Sequence, residues 1–323
     1  MKAFTSVMLA LGFLSPAIAV AQSDSYPVRP IRIFVPFAPG GSNDVVARLV
    51  GEKLVSAWKQ PVIVENKPGA GGNIGAEAVA KSPKDGYTLL LSGSSLACIN
   101  PHIYKKTRFD PHRDLPLVTP LGFVPIVLVV NPALPVKNIG ELIAYGRKRA
   151  DGLTYGSGGA GTPQHLSGEM FKAATGVNLV HVPYKGNMPA LTDLMAGQID
   201  VMFSPINSVA GLIRSGKVRA IAGAGANRIP DLPDLPTIAE SGVANFDSSL
   251  WLALAAPKGT PQAVTAKLDA EVRRIMGEPG TREKLSQQGI VPITAPDAAF
   301  QEMVRRDCAR LANVIAETKV RAD

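Results

Sequence analysis

Short apolar runs alternate with amphipathic stretches along most of the chain, a pattern typical of α/β proteins. The apolar runs have the length of strands, and the stretches between them carry apolar residues at helical spacing. The first group of predicted elements is a strand at 31–37, a helix at 43–58, a strand at 61–65, a helix at 73–80 and a strand at 88–92. The second group repeats this order with a strand at 153–156, a helix at 163–174, a strand at 179–182, a helix at 189–196 and a strand at 201–203. The pattern therefore predicts two similar modules.

Two passages are suited to connect these modules. The segment 117–130 is long, β-rich and broken by Pro120 and Pro125, and the segment 218–225 suits the return. A strand at 251–256 and helices at 261–276, 281–288 and 297–317 then complete the first module. We expect a discontinuous lobe 1 at 22–123 and 225–323 and a continuous lobe 2 at 124–224. A cleft would lie between the lobes, with the two crossings as hinges.

A glycine-rich turn joins the first predicted strand to the first predicted helix. Gly40 and Gly41 permit backbone angles closed to other residues and leave room for a ligand, while Ser42 can serve as the helix N-cap. The free N–H groups at the start of the helix favour a carboxylate or a phosphate. The ligand-binding candidates from this turn are Phe37, Ala38, Gly40, Gly41, Ser42 and Asn43.

The same arrangement recurs in the second module, with Thr162 as the expected N-cap and Pro163 at the first helical position. Each turn alone is ambiguous, because tight strand-to-helix turns also use glycine and serine for structural reasons. Two helix N-termini facing one cleft would hold an anionic ligand without any charged side chain. The candidates from this turn are Gly158, Gly159, Ala160, Gly161, Thr162 and Gln164.

Two more loops follow predicted strands in the first module. A glycine-rich turn at 67–73 follows the second strand, and a serine run follows the third. Because strand ends face the crevice of an open sheet, the hydroxyls of Ser92 and Ser95 are further ligand-binding candidates. Simple solvation of the serine run is the alternative.

The composition is that of a folded protein with many turns. Hydrophobic residues make up 46% of the 323 residues, and the 31 Gly and 27 Pro follow no repeat, which excludes disorder and a collagen-like chain. Residues 1–21 are similar to an export signal, in which Lys2 precedes an apolar stretch that ends in the A-x-A site Ala19-Val20-Ala21. We expect cleavage after Ala21 and a free periplasmic protein. A membrane anchor is the alternative.

Charge and cysteine content exclude several other classes. Beyond Ala21, 33 basic residues stand against 26 acidic ones and are scattered along the chain, so nucleic acid is a poor partner. The two cysteines, Cys98 and Cys308, are too few for a disulfide framework or a zinc knuckle. We expect two buried or partly buried free thiols, and one disulfide is the alternative.

An exported α/β enzyme, a hydrolase or an oxidoreductase acting on a small anionic substrate, is the alternative function. Residues 156–161 match G-x-G-x-x-G between a strand and a helix, but 179–185 lacks the carboxylate that a dinucleotide site places about 20 positions further on. The four histidines do not fall at metal-binding spacing, and neither G-K-[ST] nor G-x-S-x-G occurs. The sequence therefore predicts no catalytic residue, no metal and no cofactor.

Seven longer motifs occur in a characteristic order. They are the segments at 26–31, 36–44, 64–75 (VENKPGAGGNIG), 85–90 (DGYTLL), 161–166 (GTPQHL), 181–186 (HVPYKG) and 235–242 (LPTIAESG). In these motifs the chain resembles the substrate-binding receptors of tripartite tricarboxylate transporters, the Bug-type periplasmic receptors. The resemblance runs from about Tyr26 to the last predicted helix.

The resemblance implies a hinge-closing protein with the two-lobed type II periplasmic binding fold, each lobe a mostly parallel sheet flanked by helices. It also implies a small carboxylate held by backbone N–H groups and ordered waters between 37–43 and 158–164. The chain departs from the family pattern at Ser204-Pro205, where Asp-Asn is common, so an amino-acid ligand is less expected. Ser204 is itself a ligand-binding candidate. Leu96-Ala97-Cys98 replaces Thr-His-Ala and makes the far end of the pocket more apolar.

Together, the residues and the resemblance predict a monomeric periplasmic receptor that binds a small mono- or dicarboxylate. We expect it to deliver this ligand to membrane transporter subunits or to a sensor protein. We expect no catalysis, no cofactor and no nucleic-acid partner.

Overall fold

The computed structural model describes residues 26–322, which form the expected α/β fold with two sheets flanked by helices. The strands are β1 (Ile31–Val35), β2 (Val62–Asn66), β3 (Thr88–Gly93), β4 (Leu117–Val124), β5 (Ile126–Val130), β6 (Leu153–Ser157), β7 (Leu179–Pro183), β8 (Val201–Pro205), β9 (Arg219–Gly223), β10 (Leu250–Ala255) and β11 (Val291–Pro292). The helices are α1 (Ser42–Trp58), α2 (Asn73–Ala80), α3 (Asn100–Ile103), α4 (Pro111–Asp114), α5 (Ile139–Lys148), α6 (Pro163–Thr175), α7 (Asn187–Met195), α8 (Ile206–Arg214), α9 (Gln262–Gly277), α10 (Pro279–Ser286) and α11 (Asp297–Thr318).

The two sheets have related strand orders. One runs β11-β4-β10-β3-β1-β2 and the other β7-β6-β8-β5-β9. In each sheet two pairs are parallel, β1 with β2 and β3 in the first and β6 with β7 and β8 in the second. The strands next to the crossings pair antiparallel. The sheets are therefore mixed, and the expectation of mostly parallel sheets is wrong, because the chain that enters or leaves a sheet at a crossing runs against the βαβ strands.

The crossings between the sheets are short on one side and long on the other. β4 ends at Val124 in the first sheet and β5 begins at Ile126 in the second, with one residue between them. The return leads from Gly223, the end of β9, to Leu250, the start of β10, and passes through turns on the way. The lobe bounds 22–123 with 225–323, and 124–224, stay a prediction.

Two hydrophobic cores, one on each face of the second sheet, explain why its strands are nearly unbroken apolar runs in the sequence. In β5, Ile126, Leu128 and Val130 point into the large core that the sheets share, whereas Val127 and Val129 pack into the outer core under α7 and α8. All five are fully buried, because helices cover both faces of the sheet. Burying each such side chain contributes about 1.5–3 kcal/mol to the free energy of unfolding.

Most predicted elements are confirmed, and the helix over 73–80 has the predicted bounds. No helix is predicted from the sequence at α3, α4, α5 or α8. All four are short, and α8 follows β8 directly, so its apolar residues merge with those of the strand. The expected leader and its cleavage after Ala21 lie outside the described residues. Across residues 26–322 no helix combines the length and the apolar character needed to cross a membrane.

Cys98 and Cys308 form a disulfide, so the expectation of two free thiols is wrong. Cys98 lies in a π-helical turn (Ser95–Ile99) after β3, and α11 packs across this turn. The packing brings the two Cα atoms to 4.5 Å although 210 positions separate the residues in the sequence. The disulfide thus fastens the loop after β3 to the last helix.

Replacing both cysteines, in Cys98→Ser/Cys308→Ser, is expected to lower the free energy of unfolding by about 2–4 kcal/mol, because the unfolded chain is no longer cross-linked. Denaturant unfolding of both proteins, each with and without a reductant, measures this. The reductant should destabilise the parent chain and leave the double variant unchanged. Equal stability of the parent with and without reductant would contradict the disulfide.

Candidate functional site

A cavity of about 560 Å³ lies between the two sheets, within the ~300–1,000 Å³ range of small-molecule sites. Its walls come from loops that follow strands of both sheets. The first sheet's side contributes Pro36, Phe37, Ala38, Pro39, Gly40, Gly41, Ser42, Asn43, Pro68, Gly69, Ala70, Gly71, Gly72, Gly93, Ser95, Leu96, Tyr104, Leu250 and Leu252. The second sheet's side contributes Gly158, Gly159, Ala160, Thr162, Pro163, Gln164, Tyr184, Lys185, Gly186, Asn187, Met188, Pro189, Pro205 and Ser208.

The turn after β1 presents the N-terminus of α1 to the cavity. Gly40 has φ +85°, a left-handed conformation that favours glycine. Gly41 is the N-cap and Ser42 the first helical residue, so the expectation of Ser42 as the N-cap is wrong. A glycine cap has no side chain to accept from the first turn. The N–H groups of Ser42 and Asn43 consequently have no hydrogen-bond acceptor among the described residues.

A buried carboxylate fixes the shape of this turn from behind. Asp44 accepts hydrogen bonds from the N–H of Gly40 at 3.0 Å, from Arg48 Nε at 3.0 Å and from Asn66 Nδ2 at 3.0 Å. Asn66 Nδ2 also donates to the Phe37 carbonyl at 3.1 Å. Burial opposes ionisation of Asp44, but the hydrogen bonds from Arg48, Gly40 and Asn66 outweigh it and lower the pKa of the carboxyl. The Gly40 N–H therefore donates to Asp44 and is not available to a ligand.

The turn after β6 presents the N-terminus of α6. As predicted, Thr162 is the N-cap, with Oγ1 accepting from the His165 N–H at 3.4 Å, and Pro163 is the first helical residue. Thr162 Oγ1 also donates to the Gly159 carbonyl at 2.7 Å. The N–H of Gly159 donates to Ser157 Oγ at 3.1 Å, and Gly161 donates to His165 Nδ1 at 3.2 Å. Among the described residues, the N–H groups of Ala160 and Gln164 have no acceptor.

Hydrogen bonds cross the cavity and join its two sides. Ser42 Oγ donates to Asn207 Oδ1 at 2.8 Å, Ser95 Oγ to the Gly161 carbonyl at 3.1 Å, and Tyr104 OH to the Ala160 carbonyl at 3.1 Å. Gly161 has φ +80°, and a Cβ there would lie 2.7 Å from Ile103 Cδ1. The two sides are thus in direct contact around the cavity.

Three helices that the sequence analysis did not place at the site also begin at the cavity. α2, α7 and α8 have Gly72, Gly186 and Pro205 as N-caps, and none of these makes a side-chain capping bond. All three caps line the cavity. The third glycine-rich turn and the strand-to-helix order signalled α2 and α7, whereas nothing local signals α8. Helix N-termini from both sheets therefore surround one space, which favours an anion.

Charged side chains contribute little to the cavity. Among the lining residues of the described chain, Lys185 is the one with a formal charge, and it is exposed. Leu96, Leu250, Leu252 and Met188 supply apolar surface. An anion in this cavity would be stabilised mainly by backbone N–H groups and hydroxyls, and its carbon skeleton by apolar contacts.

Twelve of the fifteen predicted site residues line the cavity, and three do not. Ser92 is buried inside β3 where that strand pairs with β10. Gly161 faces α3 and donates its N–H to His165. Ser204 is fully buried in β8, with its Oγ 3.4 Å from the Pro205 carbonyl. At each of these positions the pleat or the turn directs the residue away from the cavity.

One known protein family matches most of the chain. The model described as the tripartite tricarboxylate transporter family receptor matches residues 46–320. BugT of Bordetella pertussis is 36% identical over 318 residues, which are 97% of this chain and 98% of BugT.

Solved structures agree with this match. Rpa4515 of R. palustris, solved with adipate, superposes with a TM-score of 0.88 at 34% identity, over 92% of this chain and 99% of its own. MatC from Rhodopseudomonas palustris, solved with malate, gives a TM-score of 0.83 at 32% identity, over 90% of this chain and all of its own.

Removing two of the cross-cavity hydrogen bonds, in Ser95→Ala/Tyr104→Phe, is expected to open the unliganded protein. Each bond contributes about 1 kcal/mol, so the closed arrangement loses about 2 kcal/mol relative to an open one. Small-angle X-ray scattering should give a larger radius of gyration for the double variant than for the parent chain. Ser56→Ala, which removes an exposed hydroxyl on α1, is the matched control. Identical scattering of the variant and the parent would contradict the expectation.

Proposed function

The chain belongs to the tripartite tricarboxylate transporter receptor family, and on this premise we propose that it captures a small mono- or dicarboxylate between its two lobes. The observation that carries the proposal is the convergence of helix N-termini from both sheets on one cavity. The first-turn N–H groups of Ser42, Asn43 and Gln164 and the N–H of Ala160 are available as donors. A carboxylate accepts several such bonds at once.

The ligand-binding residues are those of the two predicted turns that line the cavity, with Ser95 beside them. Carboxylate oxygens would lie between the start of α1 and the start of α6, and none of the described residues that line the cavity carries a carboxylate to repel them. The remainder of the ligand would contact Leu96, Leu250 and Leu252. Adipate and malate, the ligands of the two similar R. palustris proteins, are small dicarboxylates and support this class.

The partner is membrane transporter subunits or a sensor protein, and the location is the periplasm. The family description and the expected leader at 1–21 support this part of the proposal. The relatives support a binding role over the alternative of an exported enzyme, since BugD, at 37% identity, is described as a periplasmic binding protein.

Binding of a matching carboxylate is expected to raise the melting temperature, because the ligand binds the folded state and not the unfolded state. At 100-fold saturation the folded state gains about 2.7 kcal/mol. A thermal-shift screen of small mono- and dicarboxylates, each compared with its methyl ester or amide, measures this. The proposal is wrong if the neutral analogues stabilise the protein as much as the acids do.

Gly41→Val tests the position of the carboxylate without straining the backbone. Gly41 has an ordinary φ of −81°, and a Cβ there would meet nothing closer than the Ala38 carbonyl at 3.9 Å. The valine side chain would instead occupy the cavity, so the affinity should fall at least 100-fold with a loss of stability of about 1 kcal/mol or less.

The matched control for Gly41→Val is Gly176→Ala, at the C-cap of α6. Gly176 has φ +68° and open space around it, so alanine there costs about 1 kcal/mol of stability. Isothermal titration should find its affinity unchanged. Full affinity in Gly41→Val would place the carboxylate elsewhere.

A further inference from the structure

Two stacked histidines lie directly behind the turn after β6. The imidazole rings of His165, on α6, and His181, on β7, have centroids 4.0 Å apart with 13° between their planes. Tyr155 of β6 continues the stack, 4.9 Å from His181. His165 is almost completely buried, and neither histidine lines the cavity.

The hydrogen bond from Gly161 defines the protonation state of His165. A backbone N–H can only donate, so His165 Nδ1, 3.2 Å away, must carry its lone pair. The ring is therefore neutral in this arrangement, with its proton on Nε2. If Nδ1 were also protonated, its N–H would face the Gly161 N–H. Two donors cannot form a hydrogen bond with each other, so Gly161 would be displaced.

The peptide groups on both sides of Ala160 are held by hydrogen bonds within the protein. In the Ala160–Gly161 peptide, the carbonyl accepts from Tyr104 OH and the N–H donates to His165. In the Gly159–Ala160 peptide, the carbonyl accepts from Thr162 Oγ1 at 2.7 Å and from Ser157 Oγ at 3.1 Å. The N–H of Ala160 is the free end of this second peptide, at the cavity wall.

His181 acts on the same turn through Ser157. His181 Nε2 lies 2.7 Å from Ser157 Oγ, which also accepts from the Gly159 N–H at 3.1 Å. The two rings thus hold the turn at Gly159 and at Gly161, on either side of Ala160. Neither contact involves a ligand-facing atom.

We propose that His165, backed by His181, is a positioning residue of the anion site, whose neutral Nδ1 fixes the Gly161 peptide and so directs the Ala160 N–H at the ligand carboxylate. This inference rests on the proposed function. It adds that ligand affinity is linked to the protonation of His165, a side chain that does not line the cavity.

The surroundings of the pair favour the neutral form. Burial lowers the pKa of His165 to about 4, and burial together with the neighbouring His165 lowers the pKa of His181 to about 4. The charged group acting on the stack is Glu169 of α6, which accepts from Tyr155 OH at 2.6 Å and opposes the lowering at His181. The remaining residues of β7 and β8 add no titratable side chain. The site is therefore intact at neutral pH and fails as the His165 imidazole becomes protonated at acidic pH.

His165→Asn and His165→Leu separate the acceptor from the bulk of the ring. Asn Oδ1 can take the place of Nδ1 and stays an acceptor at every pH, whereas leucine leaves the Gly161 N–H without a partner. At pH 7.5, titration with the best carboxylate from the thermal-shift screen should give near-parental affinity for His165→Asn and a loss of about tenfold for His165→Leu. His102→Leu, at an exposed histidine, is the control and should bind like the parent.

The pH profile distinguishes positioning from plain packing. Between pH 7.5 and 4, the parent should lose more affinity than His165→Asn, while protonation of the ligand affects both equally. Superimposable profiles would overturn the inference even if His165→Leu does not fold. Parental affinity in a folded His165→Leu would overturn it as well.

A readout without ligand separates this inference from the proposed function. In the unliganded protein, the Gly161 amide resonance should shift with the protonation of His165, and the shift should vanish in His165→Asn. If no carboxylate binds the parent at pH 7.5, the proposed function fails, and the Gly161 titration still decides whether the His165 contact exists. A Gly161 amide resonance that does not change with pH would contradict the hydrogen bond between Gly161 and His165.

Discussion

The first turn of every helix carries N–H groups that the helix itself cannot satisfy, and this constraint organises the centre of the molecule. Five helices, α1, α2, α6, α7 and α8, begin at one cavity. Four of them are capped by glycine or proline, which offer no side-chain acceptor. At α2 and α8 part of the first turn donates to nearby carbonyls, but among the described residues the N–H groups of Ser42 and Asn43 on α1 and of Gln164 on α6 have no acceptor, so a bound anion would satisfy groups from both sheets.

The same constraint explains why the site needs both lobes. Ser42 and Asn43 belong to the first sheet's side and Ala160 and Gln164 to the second. The backbone of each turn is fixed from behind, by Asp44 on one side and by Ser157 and His165 on the other. A ligand between the turns would add its own bonds to those that already cross the cavity, and so favour the closed arrangement.

Much of this could be predicted from the sequence, because glycine, a small polar residue and a following helix are local signals. They identified the turns after β1 and β6, and the N-cap role of Thr162 is confirmed. Contacts between residues far apart in the chain have no such signal. The disulfide of Cys98 depends on how α11 crosses the loop after β3, and the Ser42–Asn207 bond depends on α8. Ser204 does not line the cavity, because it is fully buried in the central strand β8 although it lies near the end of that strand.

The central claim is that backbone N–H groups of two facing turns, and not a basic side chain, hold the ligand carboxylate. A crystal structure of the chain with its best carboxylate tests this most directly. The account predicts carboxylate oxygens about 3 Å from the backbone nitrogens of Ser42 or Asn43 on one side and of Ala160 or Gln164 on the other. A carboxylate bound to Lys185, or one that contacts a single lobe, would contradict it.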